Sequence, residues 1–126
     1  LVLRLTVDQH SLLARPDGQP LADGDSVLIT LRVVDVSRLL FEFEPAGLTF
    51  SATHPAELRV KYDAAHGDLD HNGVHDAADD SLEDHLAIWR QGKPNQPFVR
   101  LASFVTRSAS EVRADLPGFS RYAVSY

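Results

Sequence analysis

Between positions 68 and 79 the chain reads Asp68-Leu-Asp70-His-Asn72-Gly73-Val74-His-Asp76-Ala-Ala-Asp79. A tight loop can aim alternate residues at one centre, so Asp68, Asp70 and Asn72 can converge there. Gly73 tolerates the sharp turn that follows, and Val74 can offer its backbone carbonyl. Asp76 would reach the same centre directly or through water, and Asp79 closes the set. Ca²⁺ takes six to eight oxygens at short range. The expectation is therefore one Ca²⁺ held by Asp68, Asp70, Asn72, the Val74 carbonyl, Asp76 and Asp79. Asp-Asn-Gly clusters also simply make turns, but five oxygen side chains at this spacing with Gly73 favour an ion. Asp79 is one methylene shorter than Glu, His75 stands where an apolar residue normally packs, and no paired second loop follows. Affinity should fall in the class of roughly 10⁻⁴–10⁻³ M.

Four histidines, His66, His71, His75 and His85, crowd the same stretch and raise a transition-metal alternative. His71 and His75 share a face only on a helix, and Gly73 between them opposes one. An oxygen-rich loop suits a hard cation better than zinc or nickel. Charge points the same way. The chain carries −6 overall, yet residues 63–85 hold eight acids and no Lys or Arg, which leaves the remainder at +2. One segment carries the whole acidic excess, as a local cation site would require.

Other chemistry is thinner. Glu42 and Glu44 lie two apart on an alternating stretch and would face one side about 7 Å apart. A glycosidase pair normally comes from different elements across a cleft, so a solvated strand face explains them better. Gly118-Phe-Ser120-Arg-Tyr122 touches the nucleophile-elbow pattern but lacks its last glycine and any strand-to-helix context. His10 and His54 stand beside turn residues and are expected to be isolated and solvated. No glycine-rich loop precedes a helix, so phosphates have no cradle. With no cysteine, disulfides, thiolate metal sites and cysteine catalysis are excluded. No basic stripe with interleaved aromatics suggests nucleic acid.

The elements that must position these residues read at period two. The 126 residues are 44% hydrophobic, enough for one domain with a core and too interrupted for a membrane span. Alternation marks strands at 2–7, at 26–34 with Val27, Ile29, Leu31 and Val33 on one face, at 38–44 and at 57–62. Further strands are expected at 86–90, 98–101, 112–116 and 122–126. Only Asp79 to His85 has the composition for a helical turn or two. About eight short strands with turn chemistry between them predict an all-β antiparallel β-sandwich, one domain over 1–126. Tyr62 and Trp89 are expected in its core; the functional alternative makes them a ligand-stacking platform. The chain starts without Met and shows no signal-peptide regions, so it is expected to be processed at its N-terminus or cut from something longer.

Several blocks, taken in order, carry a family resemblance. Phe43-Glu-Pro-Ala-Gly-Leu-Thr-Phe50 and Pro55-Ala-Glu-Leu-Arg-Val-Lys-Tyr62 resemble the proline-glycine corner and following strand of ZU5-like domains. Leu86-Ala-Ile-Trp89, Phe98-Val-Arg-Leu101 and the closing Gly118-Phe-Ser-Arg-Tyr-Ala-Val-Ser-Tyr126 are similar to the family's later blocks. The order covers roughly residues 26–126. Relative to that family the acidic stretch 63–85 is an insertion, and its spacing resembles dockerin and EF-hand calcium loops. The resemblance implies a bacterial-type ZU5-like β-sandwich used as an interaction or scaffold module, with no catalytic residues to carry over.

Two functions follow as expectations. The first is a non-enzymatic structural subunit, extracytoplasmic, with protein partners in a larger assembly that could dock at a periplasmic membrane face. Nucleic acid is not an expected partner, and no transmembrane segment is expected in the chain. The second is a calcium-dependent module for carbohydrate or another cell-surface ligand.

Overall fold

A computed structural model describes residues 2–8, 10–35, 38–62, 68–70 and 72–126. The strands are β1 (Val2–Thr6), β2 (Leu12–Ala14), β3 (Thr30–Asp35), β4 (Leu40–Glu44), β5 (Thr49–Phe50) and β6 (Ala56–Lys61). Among the described residues a single α-helix, α1 (Ala77–Asp84), precedes β7 (Ala87–Gln91), β8 (Val99–Arg100), β9 (Ser103–Thr106), β10 (Glu111–Leu116) and β11 (Arg121–Ser125). All pairings are antiparallel. One sheet runs β1-β6-β10-β9, a second β3-β4-β11-β7-β8, and β2 pairs with β5 in a small third.

The two larger sheets bury one common core, and the result is the expected all-β, sandwich-like fold, with one small helix among the described residues. Alternation does the sorting: Leu58, Val60, Val112, Ala114 and Leu116 project from one sheet into Phe41, Phe43, Ile88, Tyr122 and Val124 of the other. The corner after β4 and the segment before β11 interlock. Phe119 lies 5.0 Å from Phe43 in a stacked arrangement and edge-on to Phe50 at 5.1 Å. Phe119 N–H donates to the Leu48 carbonyl at 2.7 Å, and the approach is so close that a Cβ on Gly118 would sit 2.5 Å from that same oxygen. Tyr122 Oη reaches back to the Gly118 carbonyl. Thus the Phe43–Phe50 and Gly118–Tyr122 blocks, far apart in sequence, form one packed unit.

Four expectations need correction. The stretch 26–34 does not form one strand: β3 begins at Thr30, while Val27 and Ile29 lean half-buried on the core. Leu31 and Val33 pair with Phe43 and Phe41, hence face the core side, yet stay 44% and 47% exposed. Being on the edge strand, they lie beyond the cover of the facing sheet. Residues 98–101 yield only the two-residue β8, with Phe98 and Val99 exposed. The strands β2, β5 and β9 come without the long alternation that marks the others. Finally, Trp89 is not a core residue. It pairs with Ala123 and Arg100 on the face opposite Ile88, half-buried, its indole N–H donating to the Ser125 carbonyl at 3.2 Å.

Candidate metal centre

The acidic segment enters from β6 and leaves through α1 into β7. The helix starts at its own capping box. Asp76 at the N-cap accepts from Ala78 N–H at 2.8 Å, and Asp79, three residues on, accepts from Asp76 N–H at 2.8 Å. The first turn therefore extends to Ala77, two residues earlier than composition alone predicts.

Asp79 is the organising residue of the site. It is 1% exposed. One carboxylate oxygen accepts from Leu69 N–H at 2.6 Å and Asp70 N–H at 3.1 Å, while the other holds Asp76 N–H. The Asp76 backbone N–H, then those of Asp70 and Leu69, hold the Asp79 carboxyl below the usual carboxylate range against the opposing effect of burial, and His75 adds a smaller pull the same way. Because Asp79 grips the backbone on either side of Leu69, it draws the start of the loop onto the start of the helix. Carboxylate oxygens of Asp68, Asp70 and Asp79 consequently lie within 4.8 Å of one another.

Asp68 and Asp70 are spread by the turn between them. Asp68 accepts from Asn72 N–H at 2.9 Å and Gly73 N–H at 2.8 Å; Asp70 accepts from Asn72 N–H at 3.0 Å and from its side-chain amide at 2.9 Å. Gly73 has φ +93°, the left-handed region this turn needs. Lost hydration, the neighbouring Asp68 and the charges of Asp79 and Asp76 push the Asp70 carboxyl upward, against the lowering effect of the Asn72 N–H. Three carboxylates held this close repel, and a divalent cation relieves that repulsion.

The donor set fits a hard cation. A carboxylate has about four lone-pair sites. Among the described residues the backbone and amide contacts use three of them on Asp79 and two each on Asp68 and Asp70. Oxygen capacity remains on all three, as a Ca²⁺ ion completed by water would use. The other expected ligands stand differently. Asn72 Oδ1 accepts from Val74 N–H at 2.9 Å, Val74 is 61% exposed, and Asp76 lies outside the three-carboxylate group because it caps α1.

The histidines do not join the cluster among the described residues. His75 Nε2 lies 3.4 Å from Asp80, and the His85 ring bonds the Ser81 carbonyl at 2.6 Å. His66, His71 and Asp63 lie outside the described residues.

A clamp that sequence reasoning missed ties this site to the sandwich. Arg107 reaches Asp80 at 2.8 Å, Glu83 at 3.4 Å and Asp84 at 3.7 Å. Tyr62, buried as expected, donates its phenol to Glu83 at 2.5 Å, and burial followed by the Glu83 contacts pushes the phenol pKa up. Tyr126 Oη meets the Leu69 carbonyl at 3.5 Å. Only the local charge imbalance could have hinted at Arg107, since its partners lie more than twenty residues away.

No protein-family model matches the chain, and no curated protein or solved structure was found to be similar to it.

The remaining candidates resolve geometrically. Glu42 forms ion pairs with Arg32 and Arg121 on the outer sheet face. Ser120 is 4% exposed and accepts from Arg90 Nε at 3.0 Å. Tyr62 and Trp89 share no surface, one being inside the core and the other on the outer face, so they form no common stacking platform. His10 and His54 are not isolated: their rings meet edge-on at 5.5 Å, where the connections before β2 and before β6 come together. No helix among the described residues is long and apolar enough to cross a membrane.

Proposed function

We propose that this domain is a non-catalytic interaction module whose acidic loop is organised by one Ca²⁺. The observation that carries the reading is Asp79. A carboxylate nearly removed from water, held by three backbone N–H groups, gathers Asp68 and Asp70 beside it. Asn72, the Val74 carbonyl and Asp76 complete the shell as the loop tightens on the ion. A site of this kind has an affinity suited to a calcium-rich exterior, which supports an extracytoplasmic setting. The ordered ZU5-like blocks support a scaffold role, with this domain docked on protein partners in a larger assembly, including one at a membrane surface. Isothermal titration with Ca²⁺, with Asp70→Ala as control, tests the ion. Affinity capture of the tagged chain from native membranes, with and without EDTA, tests the assembly. Binding to the parent alone and a reproducible calcium-sensitive partner are expected. No heat in the parent contradicts the first claim, and an identical capture from a mock column contradicts the second.

A further inference from the structure

A second site lies away from the acidic loop, at the β7–β8 end of the five-stranded sheet. Arg90 on β7 pairs with Tyr122 on one side and Val99 on the other. Directly paired residues share a face, and Tyr122 is in the core, so Arg90 projects on the inner face, half-buried. Most arginines of the chain meet carboxylates. Arg90 forms no ion pair among the described residues. Its Nε donates to Ser120 Oγ at 3.0 Å, a neutral partner. Taking a guanidinium partly out of water without a counter-charge is unfavourable. Contact with Ser120 uses one of five N–H donors and leaves the terminal fork, whose spacing matches a carboxylate.

The space in front of Arg90 suits such a ligand. Arg90, Gly92, Gln96, Pro97, Val99 and Leu101 line an open pocket of about 450 Å³. That size holds a small organic molecule. Its walls are apolar on the Pro97–Val99–Leu101 side and polar at Arg90 and Gln96. Val99 is 62% exposed, an apolar surface that a ligand tail would cover.

We propose that this pocket binds an organic carboxylate bearing a short branched apolar tail, with the Arg90 fork on the carboxylate and Pro97, Val99 and Leu101 around the tail. Ser120 is a positioning residue: by accepting from Nε it fixes the plane of the fork. The ligand is either a free acid or the C-terminal carboxylate of a peptide, which share this chemistry. Nothing in this site depends on calcium.

The test is a methyl-NMR titration of the full chain with 4-methylpentanoate and its neutral amide, following Val99 and Leu101. The acid should shift both methyl sets with a Kd of roughly 1 mM, and the amide should bind at least about tenfold more weakly. Arg90→Gln should reduce acid affinity to that of the amide. Val99→Glu, at an exposed position, keeps Arg90 and Ser120 while supplying an internal carboxylate, and it should block the acid equally. N-acetyl-leucine against N-acetyl-leucinamide distinguishes the sources. Binding tighter than that of the free acid marks a peptide terminus, and weaker binding marks the free acid; both support the site. Equal shifts from acid and amide, no shift from either, or acid binding unchanged in both variants would overturn it.

Discussion

Asp79 shows how one side chain can serve both fold and site. It completes the capping box of α1 and at the same time holds the loop entrance through Leu69 and Asp70. Asp79→Ala should therefore cost stability even in EDTA, a fall in Tm of roughly 5 °C, whereas Asp70→Ala should melt at or slightly above the calcium-free parent. Paired melts of the two variants check this; equal losses would show that Asp79 has no structural share. The pH dependence has two signs. The Asp79 pKa is depressed in the fold, so its contribution is present above the carboxylate's ordinary 3.8 and is lost as pH falls through the folded value. Asp70 is raised above 3.8, so its charge opposes the ion-free fold at neutral pH, and that opposition disappears as it protonates. On the proposed reading protons would compete with Ca²⁺ for Asp70, so the calcium-dependent rise in Tm should be largest near neutrality and shrink on acidification. A calcium effect that grows on acidification would contradict the assignment. The grouping of Asp68, Asp70 and Asp79 was legible in sequence because loop residues are local neighbours. Arg107 was not legible, since a clamp built from a distant strand end leaves no local pattern.

At the scale of elements, the strands that alternate cleanly, β1, β4, β6, β10 and β11, could be read because each is half-buried in one sheet. Trp89 misled for the same reason: period two identifies two faces, and Leu86 and Ile88 occupied the inner one. The short β2 and β5 carry too few residues to show any period, and the edge strand β3 loses its burial contrast where the facing sheet stops. The interlock of Phe43, Phe50 and Phe119 joins elements far apart in sequence. Phe119→Ala should cost about 3–5 kcal/mol, because the ring is fully enclosed. Gly118→Ala should cost about 1–3 kcal/mol, since its methyl would press on the Leu48 carbonyl and force the corner apart. Urea titrations of both variants give these values. A Gly118→Ala protein as stable as the parent would mean that the corner yields freely.

For the whole molecule, the described contacts that join the acidic segment to the core include the Arg107 clamp, the Tyr62–Glu83 bond, Tyr126 and the packing of Leu69 and Leu86. Removing calcium should leave the sandwich intact and loosen the segment alone. Hydrogen exchange should then quicken across residues 68–84 in EDTA, with β4, β6, β10 and β11 unchanged. The charge distribution is consistent with that proposal, since an acidic loop sits on an otherwise slightly basic body. The most direct measurement is a thermal melt of the parent and of Asp70→Ala, each in millimolar Ca²⁺ and again in EDTA. At tenfold excess over Kd, binding to the folded state alone adds about 1.4 kcal/mol, so the parent should melt roughly 5 °C higher with calcium and Asp70→Ala should not respond. A parent that melts at the same temperature in both would reduce the loop to a turn and remove the ion from the account.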